Sequence, residues 1–174
     1  SMGGMVAQHI AALHPDRVTA LTLLMTTSGA RHLPKPSAKA RAALLDRRGL
    51  DPKNIEAVVD RPERVFTIIA SPAYRAEREA FRARLRASVQ RAYRPAGVAR
   101  QLVAVAADGD RSPLLARITA PTHIIHGAAD PLVPVASAHD LHSKIKCSTL
   151  EVIEGMGHDL PPALWPRLAA SIIG

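Results

Sequence analysis

Cysteine and aromatic side chains are scarce in this sequence. Cys147 is the single cysteine among 174 residues, which excludes an internal disulfide and a cysteine-ligated zinc site. A reducing, cytoplasmic setting is the corresponding expectation. Aromatic residues make up 3% of the chain, leaving few platforms on which nucleic-acid bases could stack. Long apolar runs are also missing: stretches such as residues 21–25 and 103–107 fall far short of the about 20 residues needed to span a bilayer. No basic stretch followed by an apolar one opens the chain, so no signal peptide is expected. No internal repeat or low-complexity tract is present.

What remains has the composition of one globular domain, 47% hydrophobic and 22% charged, with enough length for a real core. The net charge of +8 comes largely from arginines crowded between residues 75 and 100, where only Glu77 and Glu79 oppose them. Such a face attracts phosphates or anionic surfaces. No DNA or RNA recognition motif accompanies it. It is therefore read as a solvated helix face, with neither a nucleic-acid nor a membrane partner expected.

The chain order indicates an α/β protein with a mostly parallel sheet. Residues 2–14 form a helix, with Met5, Val6, Ile10 and Leu13 at helical spacing and Pro15 as its stop. Residues 18–26 read as a buried strand. In the C-terminal third, strands at 122–126 and 149–153 alternate with helices at 135–143 and 161–173. The stretch between is helical: residues 37–48 capped by Ser37 and stopped by Gly49, then 62–70, then 74–93, then a helix from Pro95. In the third of these, Tyr74, Phe81, Leu85 and Ala92 share one face, with arginines opposite. Residues 1–31 and 113–174 thus make a sheet-forming core, and residues 32–112 an inserted helical cap or lid.

Three residues stand where chemistry is favoured. Ser1 heads the first helix, Asp130 follows a strand in His126-Gly127-Ala128-Ala129-Asp130, and His158 follows the last strand between Gly157 and Asp159. Serine needs a base to become a nucleophile, histidine is the usual base near neutral pH, and an acid fixes the imidazole's tautomer. The order Ser, Asp, His at successive strand ends belongs to one particular fold. Competing readings are Ser1 as a foreign leading residue, Asp130 as a turn residue before Pro131, and His158 as a surface loop residue. Asp108 and Asp110 are rival acids. The other histidines are read as structural, His123 and His126 pointing to opposite faces of a strand. His139 and His142, with Asp140 nearby, lack a third well-placed metal ligand. Cys147 is read as a small core residue, and Met2, Met5 and Met25 as core packing.

On these residues the chain resembles the α/β-hydrolase family from its nucleophile elbow onward. Ser1-Met2-Gly3 is similar to the last three positions of the Gly-x-Ser-x-Gly elbow, and the Asp130 and His158 segments resemble the family's acid strand and histidine loop. The stretch Gly157-His158-Asp159-Leu160-Pro161 looks most like capped bacterial esterases of the aclacinomycin methylesterase type. The resemblance implies a cofactor-free and metal-free serine hydrolase acting on a small ester-like substrate through an acyl-enzyme. Ser1 would attack, His158 carry the proton, Asp130 orient His158, and the Met2 backbone N–H help hold the oxyanion.

The same triad serves amide, C–C and peroxidase-type chemistry, so fold alone does not choose among them. The arginines of the insertion favour an acidic or bulky polar substrate group. An N-terminal-nucleophile hydrolase, with the amine of Ser1 as base, would begin on a strand rather than a helix. Family members carry about a hundred residues before the elbow, including half the oxyanion hole. The alternative expectation is therefore a catalytically silent fragment, truncated on its N-terminal side and completed by a missing segment or by homo-oligomerisation.

Overall fold

The computed structural model describes residues 1–46 and 53–173. Three strands form one sheet: β1 (Leu21–Leu24), β2 (Thr122–Gly127) and β3 (Ser148–Ile153), in spatial order β1-β2-β3. Both pairings are parallel, with Leu24 opposite Ile125 and Ile125 opposite Glu151. Alternation along the strands supplies two apolar faces. Leu21, Leu23 and Ile124 pack with Ala11, Ala12, Leu115, Leu141 and Ile145 on one side. Ile125, Ile153 and Met25 pack with Met156, Leu164 and Leu168 on the other. The first side is covered by α1 (Met2–Leu13), α6 (Ser112–Leu115) and α7 (Ala136–Lys144), the second by α8 (Trp165–Ile173).

Helix α1 ends one residue before the expected His14, and Pro15–Arg17 make a 3-10 turn. The strand expected at residues 18–26 shrinks to four. Its partner β2 begins only at Thr122, so residues 18–20 have nothing to pair with, and the Val18 N–H bonds the Pro15 carbonyl instead. At the other end Met25 takes a left-handed φ of 47°, and the buried Thr26 hydroxyl donates to the Ser1 carbonyl at 2.8 Å. A Cβ on Gly4 would sit 2.8 Å from the Thr26 side chain, so glycine there lets the head of α1 lie against the end of β1.

The other C-terminal elements shift by little. Helix α7 starts and ends one residue later than expected, and β3 begins one residue earlier. The final helix opens as a 3-10 turn, Pro162–Leu164, before α8. Cys147 is exposed rather than in the core. It sits where the chain turns into β3, and its carbonyl accepts from the Thr122 N–H at 2.8 Å.

Between β1 and α6 the described residues form helices and no strand: α2 (Ala38–Leu45), α3 (Ile55–Ile69), α4 (Arg78–Arg91) and α5 (Pro95–Asp108). Ser37 caps α2, its hydroxyl accepting from the Ala40 N–H at 3.2 Å. The helix closes at Leu45, short of Arg48, and the Gly49 stop lies outside the described residues. Helix α3 starts seven residues before the expected Pro62, because Asn54 caps it through the Ala57 N–H at 3.0 Å. Pro62 is accommodated inside the helix, where Val58, Val59, Val65 and Ile69 are buried.

Helix α4 is shorter at both ends than residues 74–93, and Ala92 is exposed. Its arginines are not a wholly solvated face. The Arg82 side chain, 14% exposed, binds Glu56, Asp60 and Glu63 of α3, and Arg86 binds Glu56. Among the described residues no helix is long and apolar enough to cross a membrane.

Candidate active site

Asp130 lies in the loop after β2 and its carboxylate is fully buried. Oδ1 accepts from the backbone N–H groups of Leu132 and Val133, both at 2.8 Å. Oδ2 lies 2.7 Å from Nδ1 of His158. An ionised carboxylate only accepts, so the imidazole donates from Nδ1, and in the neutral ring this leaves Nε2 as an acceptor. The two loops meet because Gly127 has no side chain: a Cβ there would come within 2.2 Å of the Met156 carbonyl oxygen. Strand β2 and the turn after β3 thereby bring the expected acid and base into contact.

A second imidazole touches the same carboxylate. His126 is completely buried, with Nε2 2.7 Å from the Val133 carbonyl and 3.5 Å from Asp130 Oδ2, while Nδ1 has no partner. Burial lowers its pKa below the ordinary histidine value, against the opposing pull of the Val133 carbonyl and Asp130. A neutral ring with its proton on Nε2 satisfies both contacts. Sequence reasoning treated His126 only as a structural histidine. The available signal was its place four residues before Asp130, on the strand that leads into the acid's loop.

Ser1 precedes α1 and is exposed. Its carbonyl accepts from the Met5 N–H and the Thr26 hydroxyl. The structure brings Asp130 to His158 but forms no hydrogen bond from the Ser1 hydroxyl to His158 or to any other described residue. Met2 is the first residue of α1, and its N–H is one of the donors that a helix leaves without an internal acceptor.

Beside Ser1 opens a cavity of about 380 Å³, lined among others by Met2, Met5, Leu102, Val105, Leu132 and Val133. None of its described lining residues is charged. The arginines expected to favour an acidic substrate group do not reach it, and Met2 and Met5 face the cavity rather than the core.

The rival acids are engaged elsewhere. Asp108 binds Arg111 and lies 2.8 Å from His9 Nε2. Burial opposes its charge, yet Arg111 and His9 outweigh it and hold the carboxyl below the usual range. Asp110 accepts from the Ser112 N–H at 2.8 Å. Asp140 turns to Ser28, His32 and Lys144, while His142 lies 2.9 Å from the Ser148 hydroxyl. Among the described residues no group of three histidine, cysteine or acidic side chains could hold a metal ion.

Comparison with known proteins agrees with this architecture. A family model described as alpha/beta hydrolase fold matches residues 1–161. The pimeloyl-(acyl-carrier protein) methyl ester esterase of Chromobacterium violaceum is 27% identical over 151 residues, covering 86% of this chain and 57% of that protein. Rhodomycin D methylesterase DauP of a Streptomyces species is 42% identical over 62 residues, 36% of this chain and 21% of that protein. Among solved structures, a meta-cleavage product hydrolase from Pseudomonas fluorescens superposes with a TM-score of 0.71 at 20% identity, over 99% of this chain and 61% of that one. A thermophilic esterase from Thermogutta terrifontis gives a TM-score of 0.67 at 26% identity, over 99% of this chain and 60% of that one. The chain spans less than two thirds of each relative's length.

Proposed function

Because the chain belongs to the alpha/beta hydrolase fold family, we propose that it carries a serine hydrolase site that cleaves carboxylic esters through an acyl-enzyme. The reading rests above all on the 2.7 Å contact between Asp130 and His158, with Ser1 at the head of α1 lining the same cavity as Leu132 and Val133 of the acid's loop. In it, His158 Nε2 takes the proton of the Ser1 hydroxyl as the oxygen attacks the ester carbonyl. The oxyanion that develops accepts from the Met2 N–H. Collapse expels the alcohol, which receives the proton from His158. Water then repeats the sequence on the acyl-serine and releases the acid. Asp130, held by two backbone N–H groups, fixes the imidazole tautomer and stabilises the imidazolium.

The uncharged cavity beside Ser1 favours an apolar acyl group over an acidic one. The methyl esters in the names of two relatives fit an ester with a small leaving alcohol. Residues 32–112 act in this reading as a cap over the site, with Val98, Leu102 and Val105 of α5 turned toward the cavity. The test is labelling with a serine-directed fluorophosphonate in a protein that carries this chain. Ser1 is expected to take the label, and Ser1→Ala to lower p-nitrophenyl ester turnover by several orders of magnitude with stability nearly unchanged. Label on another serine, or full turnover in the alanine variant, overturns the reading.

A further inference from the structure

We propose that Ser71 and Asp159 form a positioning pair that holds the His158 loop, so that the helical insertion, together with the sheet, sets where the imidazole sits. The inference rests on the catalytic reading of His158. Ser71 lies in the connection between α3 and α4 and is completely buried. Its hydroxyl donates to Asp159 Oδ1 at 2.5 Å and accepts from the Gly157 N–H at 2.9 Å. Its own N–H reaches the same Asp159 oxygen at 2.9 Å. On either side, the His158 N–H donates to the Ile69 carbonyl at 2.7 Å and the Ala73 N–H donates to the Gly155 carbonyl at 3.2 Å.

Residues 69–73 thus bind the backbone on both sides of His158, across more than eighty residues of chain. The approach is close enough to exclude a side chain at Gly157, where a Cβ would lie 2.5 Å from the Ile69 carbonyl oxygen. The ring itself makes one hydrogen bond, to Asp130. That bond orients the imidazole, while the loop that carries it is anchored to the end of α3. Without the Ser71 hydroxyl, the Gly157 N–H and Asp159 lose their shared partner. With only the backbone contacts of Ile69, Ser71 and Ala73 left, the loop can shift by up to about an ångström, a displacement that costs about 100-fold in rate when it separates reacting groups.

The experiment compares Ser71→Ala, Asp159→Ala and Asp159→Asn in the full chain, with Ser1→Ala as the catalytic control. Two readouts are taken. The first is the downfield proton resonance of the His158 Nδ1–H bound to Asp130, assigned by its loss in Asp130→Asn. The second is ester turnover resolved into kcat and KM. Ser71→Ala and Asp159→Ala are expected to shift or broaden the resonance and to lower kcat about 100-fold with KM little changed. Asp159→Asn keeps the Oδ1 acceptor and is expected to recover most of the loss.

An unchanged resonance and kcat in both alanine variants overturns the proposal, as does Asp159→Asn behaving like Asp159→Ala. If Ser71→Ala does not fold, Asp159→Ala at its half-buried position carries the same comparison. If Ser1→Ala leaves turnover intact, the catalytic reading fails, and the resonance alone decides whether the pair positions His158.

Discussion

Asp130 and Asp108 are both aspartates facing a histidine, and their surroundings separate their roles. Asp130 is fully buried, fixed by two backbone N–H groups and bonded to a histidine whose other nitrogen is left as an acceptor. Asp108 is spent on Arg111, which is 2% exposed and also bonds Gln8 and the Thr27 carbonyl. Asp130→Asn is therefore expected to cost on the order of ten-thousand-fold in ester turnover by mis-setting the tautomer. Asp108→Asn should leave turnover nearly intact and lower stability by about 1–3 kcal/mol in urea unfolding. Equal activity losses would mean that the wrong acid has been chosen.

His126 adds a pH dependence of known sign. Its folded pKa lies below the ordinary value of about 6.5, so below that pH the unfolded chain binds a proton that the folded chain refuses. Stability must then fall as pH drops from 7 through 6, by at most about 1.4 kcal/mol per pH unit for one proton. Urea midpoints of the wild type and His126→Asn between pH 7.5 and 5.5 check this. The variant should show the flatter slope whatever its starting stability, and parallel slopes would count against the assignment.

At the scale of elements, what was legible depended on whether the signal was local. Helix α1, its stop at Pro15, and strands β2 and β3 follow from short-range pattern and punctuation, and they stand within a residue or two of expectation. The Asp130 and His158 turns were legible for the same reason, since each is a strand end followed by glycine. The insertion was harder. Pro62 reads locally as a helix start, yet it lies inside α3, because the cap at Asn54 and a long-range acidic stripe outweigh one lost backbone bond.

That stripe, Glu56, Asp60 and Glu63, recurs at helical spacing and neutralises Arg82 and Arg86 of α4. Hydrogen bonds to Asp60 and Glu63 raise the Arg82 pKa and hold its charge firmly. Counting charges only within residues 75–100 hid these partners, which lie 19 to 30 positions away. The Ser71–Asp159 contact spans 88 positions and has no local signature at all. Nor does anything local mark His126 as a neighbour of the acid, beyond its place on the strand that leads into the acid's loop.

Among its described residues, the 174-residue stretch taken by itself presents exposed apolar surface and a free strand edge. Val6, Ile10 and Leu13 recur along one stripe of α1 and are 51%, 46% and 47% exposed. The neighbouring β1 pairs only with β2, so its outer edge offers unpaired backbone groups among the described residues. An apolar stripe beside an open strand edge is a template for association. Opposing it is the net charge of +8, whose mutual repulsion keeps copies apart at low ionic strength. Salt should decide the contest, because the screening length falls from about 10 Å at 0.1 M to about 3 Å at 1 M while apolar attraction persists. Sedimentation velocity of the 174-residue chain is therefore expected to show association that grows with concentration and with added sodium chloride. The double variant Val6→Lys/Ile10→Lys should shift that association to much higher concentration, since it places two further charges on the stripe itself. If charge pairing between copies drove assembly instead, salt would dissolve the complexes. A wild-type chain that stays monomeric at every salt level would show that the stripe and the open edge are too small to hold a second molecule.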